Sequence, residues 1–467
     1  MLRSLLLLLA LAVSTFAAER PPNLIFILAD DLGYGELGCF GQKLIATPHL
    51  DRFAAEGMKL TQFYAGSTVC APSRSVLMTG LHTGHTRVRG NGGKDRQALR
   101  AGDVTVAEVL KKAGYATALI GKWGLGEDGM DGAPNRKGFD YFYGYLNQVH
   151  AHNPYPDFIW RNDSRTQLRN KIVPGSVGKG NGEGDNSGAG VAEQPLDYVP
   201  DLMAGEALKW VEENKARPFF LYWSLIAPHA NNEGTKVGRG QEVPDLGAYA
   251  GKPWPAPDKA HAAIITRLDA DVGRLLAKLE ALGLDRETLI VFTSDNGHHK
   301  EGGNDPELFD ANGPLRGMKR ALYEGGIRVP TLARWPGRIA PGGENGTPLW
   351  FADVLPTFAE LAGAPPPAGL DGFSFAGPLR GLRIAWPARP AFYWEFHEAG
   401  FSQAVLLDGH WKAIRLKRRA APIELYDLAT DLGEAHDLAA KRPEIVERAR
   451  AAFEKERTDS PDWPIKD

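Results

Sequence analysis

Short apolar runs alternate along this chain with longer stretches in which apolar residues recur every three or four positions. The clearest apolar runs are at 23–29, 116–120, 218–225 and 289–294. The clearest amphipathic stretches are at 104–113, 201–215 and 260–282. Continuous apolar runs are typical of strands buried on both faces, and the longer period is typical of helices that pack on a core. The alternation predicts an α/β fold with a doubly wound, mainly parallel sheet flanked by helices.

The pattern changes after the prolines at 365–367, where short strands replace the strand–helix alternation. The expected strands are 391–396, 403–407 and 411–416, followed by a terminal helix near 443–457. We therefore predict a large domain at 19–380 and a smaller C-terminal α+β domain at 381–467, built on a short antiparallel sheet.

The N-terminus has the features of a secretory signal peptide at 1–18. Arg3 precedes an apolar run at 5–13, and Thr15-Phe16-Ala17 offers a small-x-small cleavage site. The apolar run is too short to span a bilayer, and no other uncharged run approaches about 18 residues. These features predict a soluble protein that is exported to a periplasm or secreted; a buried N-terminal helix is the alternative.

Composition excludes few classes of protein but makes the cysteines informative. The chain has 467 residues, 43% hydrophobic and 24% charged, with a net charge of −3, which gives no indication of nucleic-acid binding. Its two cysteines are Cys39 and Cys70. In an exported protein a Cys39–Cys70 disulfide is the plain interpretation. The Gly-rich stretch 174–195 favours a surface loop over a phosphate-binding loop, because no Ser or Thr follows Lys179.

Two acidic pairs directly follow predicted strands. Asp30 and Asp31 come after the strand 23–29, and Asp295 and Asn296 come after the strand 289–294. Sites in open α/β sheets form at the carboxyl ends of strands, so the two pairs are expected to converge. Three carboxylates and an amide oxygen suit Ca²⁺ or Mg²⁺. The alternative is that each Asp only caps the next helix.

Cys70 begins the stretch C-A-P-S-R-S-V-L-M-T-G at 70–80. The residues after Arg74 predict a short helix, whose positive end and Arg74 together favour an anion close to Cys70. The stretch resembles the motif C-x-P-S-R-x-x-x-x-T-G of type I sulfatases. In that family the cysteine is oxidised by a maturation enzyme to Cα-formylglycine, which explains a lone thiol in an exported chain.

The resemblance continues along the chain from residue 23 to about 440. The further matching segments are N-L-I-F-I-L-A-D-D-L-G-Y-G, G-Y-A-T-A-L-I-G-K-W-G-L-G with Lys122, L-I-A-P-H-A with His229, V-F-T-S-D-N-G, N-G-P-L-R-G-M-K-R-A-L-Y-E-G-G-I-R-V-P with Lys319, and E-L-Y-D-L-A-T-D-L. The resemblance implies an alkaline-phosphatase-like fold and a sulfuric ester hydrolase whose catalytic domain is 19–380.

The resemblance also implies roles for individual residues. The implied ligands of Ca²⁺, or of Mg²⁺, are Asp30, Asp31, Cys70 as formylglycine, Asp295 and Asn296. The implied contacts to the sulfate are Arg74, Lys122 and Lys319. Hydrated formylglycine attacks sulfur, His229 protonates the departing alcohol, and the second hydroxyl then expels sulfate. An unperturbed imidazole pKa of about 6.5 suits the acid role.

One position departs from the family pattern. The family commonly has G-K-W-H-L-G, and here Gly124 stands where the histidine would be. His299, His150 and His152 are candidates to replace it, with His299 and His152 as predicted substrate contacts; for His150 and His152 a structural role is an equal alternative.

The substrate is predicted only by class, as a sulfated carbohydrate or an aryl sulfate. Five aromatic residues either stack on a sugar or belong to the core: Tyr155, Phe158, Trp160, Trp254 and Trp394. A phosphatase or phosphonate hydrolase of the same superfamily and a non-catalytic binder of sulfated glycans are the alternative functions.

Overall fold

The fold is taken from a computed structural model that describes residues 20–93, 95–177 and 185–465. The predicted signal peptide at 1–18 lies outside the described residues, as does part of the Gly-rich stretch. Within the described part of the chain, every helix is too short or too polar to cross a bilayer.

The elements are numbered along the chain. The strands are β1 (Asn23–Ala29), β2 (Met58–Leu60), β3 (Phe63–Tyr64), β4 (Ala116–Lys122), β5 (Tyr141–Tyr145), β6 (Phe158–Arg161), β7 (Ser164–Gln167), β8 (Lys171–Ile172), β9 (Ala192–Gln194), β10 (Phe219–Ser224), β11 (Thr288–Ser294), β12 (Leu332–Arg334), β13 (Gly343–Asn345), β14 (Leu349–Trp350), β15 (Ala391–Phe396), β16 (Ser402–Leu407), β17 (Trp411–Arg415) and β18 (Ile423–Asp427). The α-helices are α1 (Pro48–Glu56), α2 (Cys70–Thr79), α3 (Val106–Lys112), α4 (Val199–Asn214), α5 (Ala256–Ala281), α6 (Glu324–Ile327), α7 (Val354–Leu361), α8 (Ala376–Leu379) and α9 (Pro443–Lys455).

The central sheet is mainly parallel, as the alternation predicts. Among the described residues its strand order is β13-β2-β12-β11-β1-β10-β4-β5-β6-β7. The five inner strands from β11 to β5 are all parallel, whereas β12 pairs antiparallel with β11, and β6 with β5. The predicted doubly wound α/β fold is therefore confirmed.

Helices cover both faces of this sheet. Leu24, Phe26 and Leu28 of β1 pack on the side of α2, α3 and α7, while the intervening Ile25 and Ile27 pack on the side of α1, α4 and α5. Each fully buried side chain of this size contributes about 1.5–3 kcal/mol relative to exposure. Burial on both faces is the reason that the strand has no polar alternation in the sequence.

The C-terminal region forms an antiparallel sheet of β15, β16, β17 and β18, as predicted. Trp394 lies on the face that joins the core of the central sheet, and its Nε1 donates to Ala65 O at 2.9 Å. Tyr393 lies on the opposite face, which α9 covers through Ile445 and Phe453. The sheet is thus enclosed on both sides, and a domain boundary near residue 381 stays a prediction.

Candidate active site

The two acidic pairs lie side by side at the carboxyl edge of the sheet. Ala29 and Ser294 are paired in register, so Asp30 and Asp295 leave the sheet at the same level. Asp31 N donates to Asp295 Oδ1 at 3.1 Å, and Asn296 Nδ2 donates to Asp31 Oδ1 at 2.7 Å. Asp31 has a left-handed φ of 67°, a conformation that Asp tolerates better than most residues. The predicted convergence is therefore observed.

Cys70 is the first residue of α2, which corrects the prediction that the helix begins after Arg74. The helix includes Pro72 in its first turn, where proline is compatible with helical backbone, and it ends at Gly80 with a φ of 68°. Cys70 Sγ lies 3.5 Å from Asp30 Oδ1. Both cysteines are free thiols, so the alternative of a Cys39–Cys70 disulfide is wrong.

The environment of Cys70 disfavours a thiolate. Burial raises the pKa of the Cys70 thiol well above its ordinary value; the nearby Lys122 opposes this shift and Asp30 adds to it. A protonated thiol is a poor nucleophile. The unmodified thiol of Cys70 is therefore poorly suited to act as a nucleophile at this position.

Arg74 is fully buried on α2 and binds other groups of the site. Its Nε and Nη2 donate to Asp295 Oδ2 at 3.0 and 2.7 Å, and its Nη1 donates to Lys122 O at 2.9 Å and to Ser224 Oγ. The guanidinium therefore fixes the Asp295 carboxylate and the end of β4. These hydrogen bonds engage all three nitrogens of the guanidinium with protein groups. The predicted contact of Arg74 with the sulfate stays a prediction.

Two lysines neutralise the first acidic pair. Lys122 Nζ donates to Asp30 Oδ2 at 2.7 Å, and Lys319 Nζ donates to Asp31 Oδ2 at 2.7 Å. Burial opposes ionisation of Asp30, but Lys122 and the other nearby cationic groups together outweigh it and hold the pKa of Asp30 well below its usual range. Lys319 likewise lowers the pKa of Asp31 against the effect of burial. Both carboxylates are therefore ionised next to cations.

The second acidic pair retains an unpaired oxygen. Asn296 Oδ1 is buried and has no hydrogen-bond partner among the residues that the structure describes. Burial and the Asp30 carboxylate raise the pKa of Asp295 to about 7. A buried acceptor without a donor is costly, and a hard cation would both pair with it and favour the ionised form of Asp295. The oxygen-rich donor set thus fits a divalent cation such as Ca²⁺ or Mg²⁺.

Residue 70 lies close enough to the first acidic pair to share a bound cation with it. Ligand atoms of Asp30, Asp31, Cys70 and His229 all lie within 4.8 Å of one another. In the protein as described, the charges of the three aspartates are balanced by Arg74, Lys122 and Lys319. A divalent cation together with an anionic ester can therefore enter without leaving a large uncompensated charge.

His229 occupies an unexpected electrostatic environment. Its Nδ1 lies 2.7 Å from Ala230 O, so Nδ1 carries the proton and Nε2 accepts from Lys319 Nζ at 3.1 Å. Burial and the adjacent Lys319 ammonium lower the pKa of His229 well below its ordinary value. The expectation of an unperturbed imidazole pKa is therefore wrong for the free protein, because a lysine lies against the nitrogen that would be protonated.

A cavity of about 330 Å³ opens above these groups, and Cys70, His229 and Lys319 are part of its lining. His152 also lines it, with its ring stacked on His229 at 4.7 Å and its Nδ1 3.1 Å from Glu233 Oε2. His299 lies behind His229, with its Nε2 3.3 Å from Pro228 O. Of the two predicted substrate contacts, His152 faces the cavity and His299 lies outside the lining.

The other histidine and aromatic candidates are structural. His150 is buried, with its Nε2 3.2 Å from Phe158 O. The candidate aromatic residues that are buried in cores are Tyr155, Phe158, Trp160 and Trp394, while Trp254 packs against Tyr249 and Phe309. The alternative of an aromatic wall is not supported by the described lining of the cavity.

Two residues of the site were not predicted. Glu301 Oε2 lies 3.4 Å from Lys319 Nζ, and its Oε1 accepts from Arg320 at 2.5 Å. Gln148 lines the cavity beside Gly124. Neither residue stands in a segment with a chemical motif, although Gln148 lies two residues before His150, the first of the two candidate histidines there.

Comparisons with known proteins point to one family. Residues 22–364 match the family model described as Sulfatase, and residues 317–458 match the model described as N-sulphoglucosamine sulphohydrolase, C-terminal. The chain is 33% identical over 501 residues to human arylsulfatase A, covering 95% of this chain and 89% of the relative. It is 34% identical over 424 residues to mouse steryl-sulfatase, covering 78% of this chain and 66% of that relative.

A solved structure is similar over nearly the whole chain. The complex of Ps i-CgsB with k-i-k-neocarrahexaose has a TM-score of 0.75 and 27% sequence identity, covering 96% of this chain and 95% of that chain. The likeness therefore includes the C-terminal sheet as well as the large sheet.

Proposed function

The chain belongs to the sulfatase family and is a sulfuric ester hydrolase, and we propose that it removes sulfate from a carbohydrate by means of Cα-formylglycine formed from Cys70. The observation that carries the proposal is the position of Cys70. It starts α2 at the base of the cavity, 3.5 Å from Asp30 and close to His229 and Lys319. An anionic ester that enters the cavity meets the nucleophile and the cations together.

Oxidation of Cys70 by a maturation enzyme resolves the poor reactivity of the buried thiol. A hydrated aldehyde offers one hydroxyl for attack and a second for release of sulfate, which neither a protonated thiol nor a serine offers. In the first turns of α2, Ser73 Oγ donates to Asp295 O and Arg74 Nη2 donates to Asp295 Oδ2, so residue 70 has a fixed position at the beginning of the helix.

We assign Asp30, Asp31, Asp295, Asn296 and residue 70 to a Ca²⁺ site, with Mg²⁺ as the alternative. The unpaired Asn296 Oδ1 and the raised pKa of Asp295 support it. When bound, such an ion supplies Lewis acidity that lowers the pKa of a coordinated hydroxyl and polarises the sulfate.

Proton delivery is assigned to His229 and Lys319. Lys319 Nζ faces His229 Nε2 at 3.1 Å, and both line the cavity. In this arrangement the Nδ1 hydrogen bond to Ala230 O orients the ring, and Nε2 accepts from Lys319 in the free protein. An anionic ester bound beside the ring would favour the protonated imidazole, whose Nε2 could then donate its proton to the departing alcohol oxygen. Lys122 and Lys319 neutralise charge that the sulfuryl group carries during transfer.

The substrate class rests on the relatives and on the cavity. Ps i-CgsB, which is similar in structure, was solved with an oligosaccharide. The cavity is lined largely by polar side chains, among them Asn147, Gln148 and Asn232, which suit sugar hydroxyls. The signal-peptide pattern at 1–18 supports export, which would bring the enzyme to sulfated polysaccharides outside the cytoplasm.

The proposed function is tested with matched aryl esters and with the peptide that contains residue 70. The protein is produced with a formylglycine-generating enzyme, and kcat/KM is measured for 4-nitrophenyl sulfate and 4-nitrophenyl phosphate. We expect sulfate to be favoured by at least about a hundredfold, and mass spectrometry to show an aldehyde at residue 70. A preference for phosphate supports the phosphatase alternative; an unmodified Cys70 in a maturation-competent host, without turnover, supports a glycan binder.

Calcium is expected to stabilise the folded protein. After treatment with EGTA, addition of Ca²⁺ at about a hundredfold excess over its Kd raises the free energy of unfolding by about 2.7 kcal/mol, which is read from the thermal midpoint. Asp295→Asn removes the increase. Asp371→Asn serves as the matched control, because Asp371, His82 and His85 form a different group of side chains that could hold a metal ion. A calcium response that survives Asp295→Asn and disappears in Asp371→Asn contradicts the assigned site.

A further inference from the structure

Gln148 fills the space that a side chain at residue 124 would need. Gly124 has a left-handed φ of 78°, and a Cβ built there lies 2.0 Å from Gln148 Nε2. A side chain at 124 and the present position of Gln148 therefore exclude each other. The space next to Gly124, in the connection after β4, is therefore occupied by the carboxamide of Gln148 from the connection after β5.

The carboxamide of Gln148 is buried without partners. Neither its Nε2 nor its Oε1 has a hydrogen-bond partner in the part of the chain that the structure describes. Leaving both a buried donor and a buried acceptor unpaired destabilises the folded protein, because neither group recovers the hydrogen bonds that it makes to water. The backbone nearby is well held, since Asn147 Oδ1 accepts from Val149 N at 2.7 Å and from His150 N at 3.1 Å. The unpaired state is therefore not the result of a loose segment.

Gln97 shows that the cavity wall can satisfy a glutamine. It lines the same cavity, its Nε2 donates to Gly124 O at 3.0 Å, and its Oε1 accepts from Gly92 N at 3.2 Å. Gln97 thus holds the backbone of the wall, while Gln148 keeps its donor and its acceptor for another group.

We infer that Gln148 is a specificity residue that binds a hydroxyl of the leaving group next to the sulfate ester, an inference that rests on the proposed function. Gln148 and Cys70 line the same cavity of about 330 Å³, so a ligand at residue 70 is close to Gln148. Sulfate oxygens only accept hydrogen bonds and would leave Oε1 unpaired. A hydroxyl both donates and accepts, and it can pair with both atoms of the carboxamide.

Two aryl esters that differ by one hydroxyl test this contact. The isomer of 4-nitrocatechol sulfate that has its nitro group para to the ester, 2-hydroxy-4-nitrophenyl sulfate, carries a hydroxyl next to the ester, and 4-nitrophenyl sulfate lacks it. In Gln148→Leu the ratio of kcat/KM for the catechol ester over the phenyl ester is expected to fall about tenfold relative to the unchanged protein. The intrinsic reactivity of the two esters cancels in this comparison between variants. The thermal midpoint is expected to stay the same or to rise, because the substitution removes unpaired buried groups.

A second variant and a control separate recognition from structure. Gly124→Ala is expected to displace Gln148 and to lower the same ratio, although its left-handed backbone adds strain. Gln97→Leu, which removes wall-supporting hydrogen bonds, is expected to lower both rates together and leave the ratio unchanged. An unchanged ratio in Gln148→Leu, or an equal fall in Gln97→Leu, overturns the inference.

Failure of the proposed function is recognised separately. If the unchanged protein hydrolyses neither ester, the proposed reaction fails, and calorimetric binding of the two esters then tests Gln148 alone. The tenfold preference for the catechol ester should then appear in Kd and disappear in Gln148→Leu; equal affinities in both proteins refute the contact.

Discussion

Replacing Cys70 with serine is expected to lower kcat/KM for sulfate esters by at least about a thousandfold. A serine hydroxyl at the start of α2 can accept the sulfuryl group once, but it has no second hydroxyl on the same carbon to expel sulfate. Cys70→Ala is expected to be equally inactive, since it has no nucleophile. Turnover is measured with 4-nitrophenyl sulfate, and mass spectrometry of Cys70→Ser is expected to detect the trapped sulfate.

Cys39→Ser is the matched control for this experiment. Cys39 is the other cysteine, it lies apart from the cavity lining, and burial raises the pKa of its thiol to about 12. Its replacement is expected to leave turnover within about twofold, as for substitutions away from special features. If Cys70→Ser keeps more than a few per cent of the activity while binding metal normally, residue 70 is not the nucleophile.

Replacing Lys412 with methionine is expected to destabilise the protein by about 3 kcal/mol, because it leaves the buried carboxylate of Glu324 without its cation. Lys412 on β17 donates to Glu324 Oε1 at 2.7 Å and lies 3.8 Å from Glu434 Oε1, and all three side chains are fully buried. Burial raises the pKa of Glu434 to about 8, whereas Lys412 lowers the pKa of Glu324 against the effect of burial. The loss is measured by guanidinium denaturation at one temperature.

The exposed pair of Arg448 and Asp408 provides the control for the buried one. Arg448 Nη2 lies 2.7 Å from Asp408 Oδ2, with both side chains substantially exposed, so Arg448→Met is expected to cost less than about 1 kcal/mol. Adding Glu324→Gln to Lys412→Met is expected to recover part of the lost stability, since it removes the ionised partner. An equal, small effect of Lys412→Met and Arg448→Met contradicts a buried ionic contact between the C-terminal sheet and α6.

This contact also bears on activity. Glu324 begins α6 a few residues after Lys319, so the buried cluster holds the segment that brings Lys319 to the site. Loss of Lys412 is therefore expected to affect the site as well as the free energy of unfolding, through the position of a lysine that contacts Asp31.

The strands of the central sheet and the positions of the acidic pairs were predictable from local pattern. The run 23–29 is buried on both faces, and the two Asp-containing turns follow strands that are neighbours in the sheet. The motif around Cys70 could be identified from the sequence because its residues are consecutive, at 70–80. The start of α2 differs from the sequence prediction, because Pro72 is compatible with the first turn of a helix and the helix begins at Cys70.

The sequence by itself determined the fold class, the family and the residue types of the site, because hydrophobic period and short motifs are properties of neighbouring residues. The tertiary structure alone decided the charge state of His229, the use of Arg74 to hold Asp295, and the meeting of Gln148 with Gly124. These depend on burial and on groups far apart in the chain. None of these three features leaves a local pattern in the sequence, because the pKa of a side chain and the hydrogen bonds open to it are set by all the groups that surround it in the folded protein.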